Sequence, residues 1–306
     1  MKTTLYTQNM SAKKLVSLVK FVAVQIVILF LFTQCDDAVQ EIDWETKNIP
    51  NKLIVDGHIS NKLSKHPIKL SRSDDYFANV PERMVSGASV IIDSENGNII
   101  YAEKPSEPGV YEALEPFAGE VNVKYTLKID LNEPLEGTDY YEAETQIIEG
   151  MRLDLVEAYL YNNPTPMEDT DSIMLIIVLH GLEPVNIENY YMAKAYRNGE
   201  LITDTIQDFT HFSDQDYGMN GESIFYMIYE DYFEPNDTFA IDLISIPKDY
   251  EYFLTGLGQL SVPEDPFGFS GPPANVVGNV NKGNALGFFY SSYIQSASTV
   301  VIDATY

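Results

Sequence analysis

Residues 88–103 read ASVIIDSENGNIIYAE, two short apolar runs separated by a polar break. Both runs are rich in β-branched side chains, which lose rotamer freedom in a helix and pack well on a pleated sheet. Between them, Asn96-Gly97 offers two residues that tolerate positive φ, as both central positions of a type I′ turn require. The stretch therefore predicts a β-hairpin, and with it a β fold.

Working outward, similar runs recur at 52–60 (KLIVDGHIS), 67–71 (PIKLS), 109–113 (GVYEA), 121–130 (VNVKYTLKID) and 140–147 (YYEAETQI). So many short strands between turn residues predict an immunoglobulin-like or transthyretin-like β-sandwich over residues 51–150. The second half, residues 151–306, continues in the same style with longer loops. Its strands are expected at 172–180 (SIMLIIVLH), 189–197, 224–229, 237–246, 285–293 and 298–306, with a second hairpin turn at Asn198-Gly199. One segment changes period: in PKDYEYFLTGLGQL, residues 247–260, Tyr250, Phe253, Leu254 and Leu257 share a helical face behind Pro247. The expected fold is thus mainly β, two sandwich-like domains with one short helix in the second.

The N-terminal part reads as an address. Residues 1–34 carry four lysines and no acid, residues 21–32 (FVAVQIVILFLF) form a 12-residue apolar run, and Cys35, the single cysteine, is followed at once by Asp36 and Asp37. Such a run suits a signal peptide and is short for a bilayer-spanning helix, which needs roughly 20 residues. Phe32-Thr33-Gln34-Cys35 resembles a bacterial lipobox, with Phe32 and Gln34 where leucine and a small residue are usual. Cys35 is therefore the expected lipidation site, and more than one acyl chain gives stable anchoring. An uncleaved signal anchor with an inert thiol is the competing reading, and Met10 is a second candidate start. Residues 35–50 lack periodicity and read as a tether.

Composition narrows the function classes. The chain has 19 basic against 46 acidic residues, a net charge of −27; without the four leader lysines, 15 basic residues remain and the imbalance is −31. That field repels nucleic acid and anionic headgroups. Yet 45% apolar residues and 36 Phe plus Tyr are far too many for a disordered acidic segment.

Catalytic motifs are scarce. There is no Gly-x-Ser-x-Gly elbow and no phosphate-binding loop, and Gly278, Gly283 and Gly287 are better explained by turns than by a dinucleotide site. Asp204, Asp208, His211, Asp214 and Asp216 crowd one stretch and are weak candidates for a cation such as calcium, without EF-hand order. The four histidines show no close ligand pairing, so no metal site is assigned; His58 and His180 fall in expected strands as core or rim residues. Phe267 and Phe269 stand beside Pro272 and Pro273, and this stiff aromatic segment is the candidate partner surface. No catalytic residue and no cofactor is expected.

Several blocks together resemble one family. Residues 271–276 (GPPANV), Gly278-Asn279-Val280 and 283–289 (GNALGFF), with 53–59 (LIVDGHI), 85–90 (VSGASV) and 125–129 (YTLKI) upstream, are similar to the Bacteroidota outer-membrane lipoproteins that carry domain of unknown function 4249. Asn122 stands where relatives often have glycine, a mild departure because Asn also tolerates left-handed geometry. The resemblance implies a location and company: a non-catalytic lipoprotein of the outer membrane, exposed at the cell surface, acting as accessory or ligand-capture partner of a TonB-dependent receptor. A surface hydrolase and a structural or adhesion module are the alternatives. A deep pocket with a strongly perturbed His or carboxylate would favour the hydrolase, a flat aromatic patch the docking protein.

Overall fold

The computed structural model describes residues 20–21, 51–74, 81–162, 173–203, 210–214, 221, 224–229, 233–261, 276–280 and 284–304. The chain divides into two units, Met1–Asn48 and Ile49–Tyr306, and the fold below is that of the second. Its strands are β1 (Leu53–Ser60), β2 (Ile68–Arg72), β3 (Arg83–Met84), β4 (Ser89–Ser94), β5 (Gly97–Glu103), β6 (Val110–Ala113), β7 (Lys124–Leu135), β8 (Thr138–Gln146) and β9 (Arg152–Asn162). They continue with β10 (Ile173–Leu182), β11 (Tyr190–Arg197), β12 (Glu200–Leu201), β13 (Thr210–Ser213), β14 (Ile224–Tyr229) and β15 (Thr238–Ile246). Helix α1 (Lys248–Ser261) follows, then β16 (Leu286–Val300) and β17 (Ile302–Asp303). Among its described residues this unit is mainly β with one short helix, as the sequence predicts.

The 88–103 hairpin forms, with a different turn. Ser94 pairs with Gly97, so the loop residues are Glu95 and Asn96, and only Gly97 has positive φ, at 118°. The Ser94 hydroxyl donates to the Gly97 carbonyl at 2.9 Å and accepts from the Asn96 amide, fixing the turn by a side chain instead. At Asn198-Gly199 both residues are positive, at 50° and 87°, as a type I′ turn requires. Asn122 sits at 64°, the left-handed geometry that its place in the chain demands.

Thirteen strands form one sheet, with the path β12-β11-β15-β16-β1-β2-β6-β5-β4-β7-β8; β13 pairs with β11 and β3 with β2. Four more form a second sheet, β14-β10-β9-β17. The central strand is β16. Its first half, Leu286–Ser292, runs parallel to β1, and its second half, Tyr293–Val300, runs antiparallel to β15. Sequence patterning expects two strands here, 285–293 and 298–306. One continuous strand forms because no turn residue interrupts Ile294-Gln295-Ser296-Ala297, and the change of partner happens without a break in the chain. β9 is a strand that the sequence reading omits; in LDLVEAYLY the polar residues Asp154 and Glu157 stand three apart, so no strict alternation marks it.

Two apolar clusters flank that strand. The first joins Leu53, Val55, Ile68, Tyr111, Ile92, Leu127 and Ile129 to Phe289 and ends in sequence at Ile147 on the N-terminal side. The second begins at Met151 and unites Val156, Leu160, Leu175 and Ile177 of the small sheet with Tyr191, Phe239 and Ile241 of the large one, a sandwich-like packing. The boundary expected near residue 150 falls where one cluster gives way to the other, within a single compact unit. β8 returns against β16, where Ser291 N donates to Thr145 Oγ1 at 2.9 Å. On the opposite face of β11 and β15, Tyr190, Met192, Ile244 and Ile246 pack under Leu254 of α1, with Tyr250 and Tyr290 against them. The helical face expected from Tyr250, Phe253 and Leu254 is the one that covers the sheet.

Candidate functional site

Alternation along β1 sends Leu53, Val55 and Ile59 into the core and leaves Asp56, His58 and Ser60 on the other face. With Lys62, Ser64, His66 and Lys69 they line an open groove of about 550 Å³. The imidazole of His58 lies 4.4 Å from the Tyr290 ring in a stacked arrangement, and Tyr290 stacks on Tyr250 of α1 at 3.6 Å. Burial, with smaller contributions from His66 and Lys194, pushes His58 down to about 3, so its ring is neutral at physiological pH. Its Nε2 lies 2.7 Å from Ser292 Oγ. The pair has the spacing of a nucleophile and its base, but Ser292 is wholly buried and no substrate atom can reach it. His66, at φ 41°, donates from Nε2 to the Phe117 carbonyl at 3.0 Å and is lowered by burial against that bond. Lys69 pairs with Glu82. The groove is therefore lined mainly by polar and charged side chains, with His58 stacked on Tyr290 and His66 bonded to the Phe117 carbonyl.

A second feature is the outer face of the small sheet. Register sets Leu155, Glu157, Tyr159 and Tyr161 of β9 beside His180, Val178, Ile176 and Met174 of β10 on one face, opposite the side that joins the second core cluster. β17 adds Ile302 opposite Tyr159. Leu155, Tyr161 and Ile302 are 50%, 43% and 53% exposed. In their midst Glu157 accepts from Tyr159 Oη and pairs with His180 Nε2, each at 2.6 Å, and these bonds lower its carboxyl. His180 is thus a rim residue, as its place in the sequence indicates. The face thus carries exposed Leu155, Tyr161 and Ile302 around a hydrogen-bonded polar centre.

Of the sequence-derived candidates, Cys35, Phe267, Phe269, Pro272 and Pro273 lie outside the described residues, as do Asp204, Asp208 and Asp216. His211 and Asp214 are described and are not brought together. His211 opposes Met192 and reaches Glu251 of α1 with Nδ1 at 3.1 Å, whereas Asp214 lies beyond Phe212, on the Tyr191 side. Among the described residues no group of three or more His, Cys, Asp or Glu is arranged to hold a metal ion.

The glycines and asparagine of the closing motif have structural roles. Gly287 lies within β16 rather than in a turn, at φ 80°, and a Cβ there would meet the Val55 carbonyl oxygen at 2.0 Å. A Cβ on Gly278 would meet the Gly287 oxygen at 1.7 Å. Asn279 holds Phe289 on both sides, donating to its carbonyl at 2.7 Å and accepting from its amide at 2.9 Å. Val280 and Phe289 are fully buried. Val277, 74% exposed, lies beside exposed Tyr252 on a shallow depression next to α1.

Sequence reasoning misses one polar site. Glu183, Asn189, Tyr191 and Asp214 are all buried. The Tyr191 hydroxyl accepts from the Met151 amide and donates to the Glu183 carboxylate, and Asn189 Nδ2 donates to Glu183 Oε1 at 2.8 Å. Burial raises the Glu183 carboxyl; its two hydrogen bonds oppose this and the nearby Asp214 reinforces it. The sequence singles out only Asp214, and in a different set; three separate segments bring these residues together.

Fold and surfaces define a mainly β protein whose large sheet is joined through β16, between β15 and β1. The chain belongs to the family described as "Domain of unknown function (DUF4249)", which matches residues 39–298. No curated protein matches it in sequence. Among solved structures, one described as "Biofilm associated protein - BSP domain" is similar over 83% of this chain at 9% identity and a TM-score of 0.22, and the match spans 30% of that protein.

Proposed function

We propose that this chain is a Bacteroidota outer-membrane lipoprotein, anchored through Cys35 at the cell surface and acting without catalysis as accessory or ligand-capture partner of a TonB-dependent receptor. The observation that carries the reading is the outer face of the small sheet, where Leu155, Tyr161 and Ile302 are exposed around half-buried Tyr159. Isolated exposed apolar residues are ordinary, whereas several sharing one sheet face are what partner docking uses. The leader, the acidic residues after Cys35 and membership of the family support the anchor. The strongly perturbed imidazole, His58, faces a serine sealed in the core, and Glu183 is itself wholly buried, so neither supports the hydrolase.

The test is copurification from native membranes with mass-spectrometric identification of partners. Leu155→Asp with Tyr161→Asp should abolish recovery of the receptor while the purified variant keeps its melting temperature. Equal receptor recovery from wild type and double variant would remove this face from the interface. Recovery of no receptor at all would favour an adhesion or structural module.

A further inference from the structure

We infer that Glu183, Asn189 and Asp214 form an interior site for one divalent cation of the calcium class. The site joins the β10–β11 connection, which carries Glu183 and Asn189, to the residue after β13, Asp214, whose amide donates to the Asn189 carbonyl at 3.0 Å. Glu183 is wholly buried, and Asn189 and Asp214 are each 2% exposed. Two carboxylates in such a position require compensation, because an unpaired buried charge loses its hydration for nothing. Among the described residues no lysine, arginine or histidine pairs with either of them.

A second, independent observation is the distribution of donors. Glu183 is supplied by the Tyr191 hydroxyl and by Asn189 Nδ2. That bond uses the Nδ2 side of the Asn189 amide, and its buried Oδ1 has no donor; neither has Asp214 Oδ1. Two acceptors are thus left over in the interior beside a carboxylate. One proton on Glu183 could serve only one of them. A divalent cation serves both acceptors and neutralises both acids. The donors are all oxygens, carboxylate and amide, which select calcium over zinc or copper, whose preferred ligands are imidazole and thiolate. Three side chains are fewer than the six to eight oxygens that calcium takes, so the ion keeps water and the affinity belongs to the weaker range, roughly 0.1–1 mM.

The purified full chain in detergent, stripped with EDTA, is titrated with calcium chloride by calorimetry and by thermal melting. The expected result is one ion per chain and a melting temperature that rises with calcium. Asp214→Asn should weaken binding at least about tenfold, and Asn189→Asp, which adds a ligand charge, should enlarge the calcium-dependent rise. With 46 acids, loose surface binding is expected too, so stoichiometric binding untouched by Asp214→Asn would overturn the site. So would a melting temperature equal in calcium and in EDTA, with Glu183→Gln raising it: that pattern assigns the cluster to a shared proton. If Asp214→Asn does not fold, Asn189→Asp decides alone, since without a bound ion a third buried carboxylate destabilises and no calcium response follows.

Discussion

Gly287→Ala is the substitution whose effect can be worked most directly from the structure. Gly287 pairs with Val55 in the parallel β1–β16 ladder, at φ 80°, and its Cβ would stand 2.0 Å from the Val55 carbonyl oxygen. Holding alanine in left-handed geometry costs about 1–2 kcal/mol. Real Cβ contacts do not fall under 3.0 Å, so the two backbones must separate by about 1 Å. That opens the ladder where β16 first meets β1. Two weakened hydrogen bonds at about 1 kcal/mol each, with partly desolvated groups left behind, bring the total to roughly 3–5 kcal/mol. This is a large share of the 5–15 kcal/mol that typically separates folded from unfolded chains. Gly199→Ala is the control, because Gly199 has φ 87° and nothing within 4 Å of its added Cβ, so only the backbone term remains. Urea denaturation followed by tryptophan or tyrosine fluorescence should show the Gly287 variant losing at least about 2 kcal/mol more than the Gly199 variant, at an unchanged slope. Equal losses in the two variants would refute the close approach as the reason for glycine at 287.

Three further outcomes are expected. Cys35→Ala should release the protein from the membrane fraction, and acyl-label incorporation unchanged in that variant would end the lipoprotein reading. Alanine at both Phe267 and Phe269 should weaken receptor copurification about tenfold for every 1.4 kcal/mol lost while leaving the melting temperature in place; a clearly lower melting temperature would make the rings part of the core. Because the His58 imidazole titrates at about 3 when folded and near 6.5 when unfolded, the unfolded chain takes up the proton first, and the contribution of His58 to stability is complete above about pH 6.5 and is lost as pH falls toward 3. His58→Gln should therefore flatten the fall in urea stability between pH 7 and pH 5, with His66, also lowered by burial, keeping part of the slope.

The candidate sites were legible to different degrees. His58 and His180 could be placed on strands from their apolar neighbours, and both are found there at the rim of the core. That His58 would face Ser292, or that Asp214 would part from His211 to join Glu183, could not be read, since these pairs depend on which strands become neighbours. The outer face of the small sheet was equally hidden: β9 supplies half of it, and the exposure of Leu155 and Tyr161 depends on which face of the strand meets the core.

The sequence by itself determined what local physics controls. Alternating β-branched runs made strands, Asn198-Gly199 made a type I′ turn, and Tyr250, Phe253 and Leu254 at helical spacing made the face of α1 that covers the sheet. Even the closing motif was visible as a block of glycine and asparagine, although its purpose was not. Tertiary structure decided the rest. That β16 pairs with β1 along its first half and with β15 along its second belongs to the tertiary structure, and Gly287 is needed because strands over 200 residues apart in sequence approach there without room for a side chain. Period and turn chemistry are properties of a few neighbouring residues, whereas the choice of partner, and with it every buried polar contact, belongs to the folded chain as a whole.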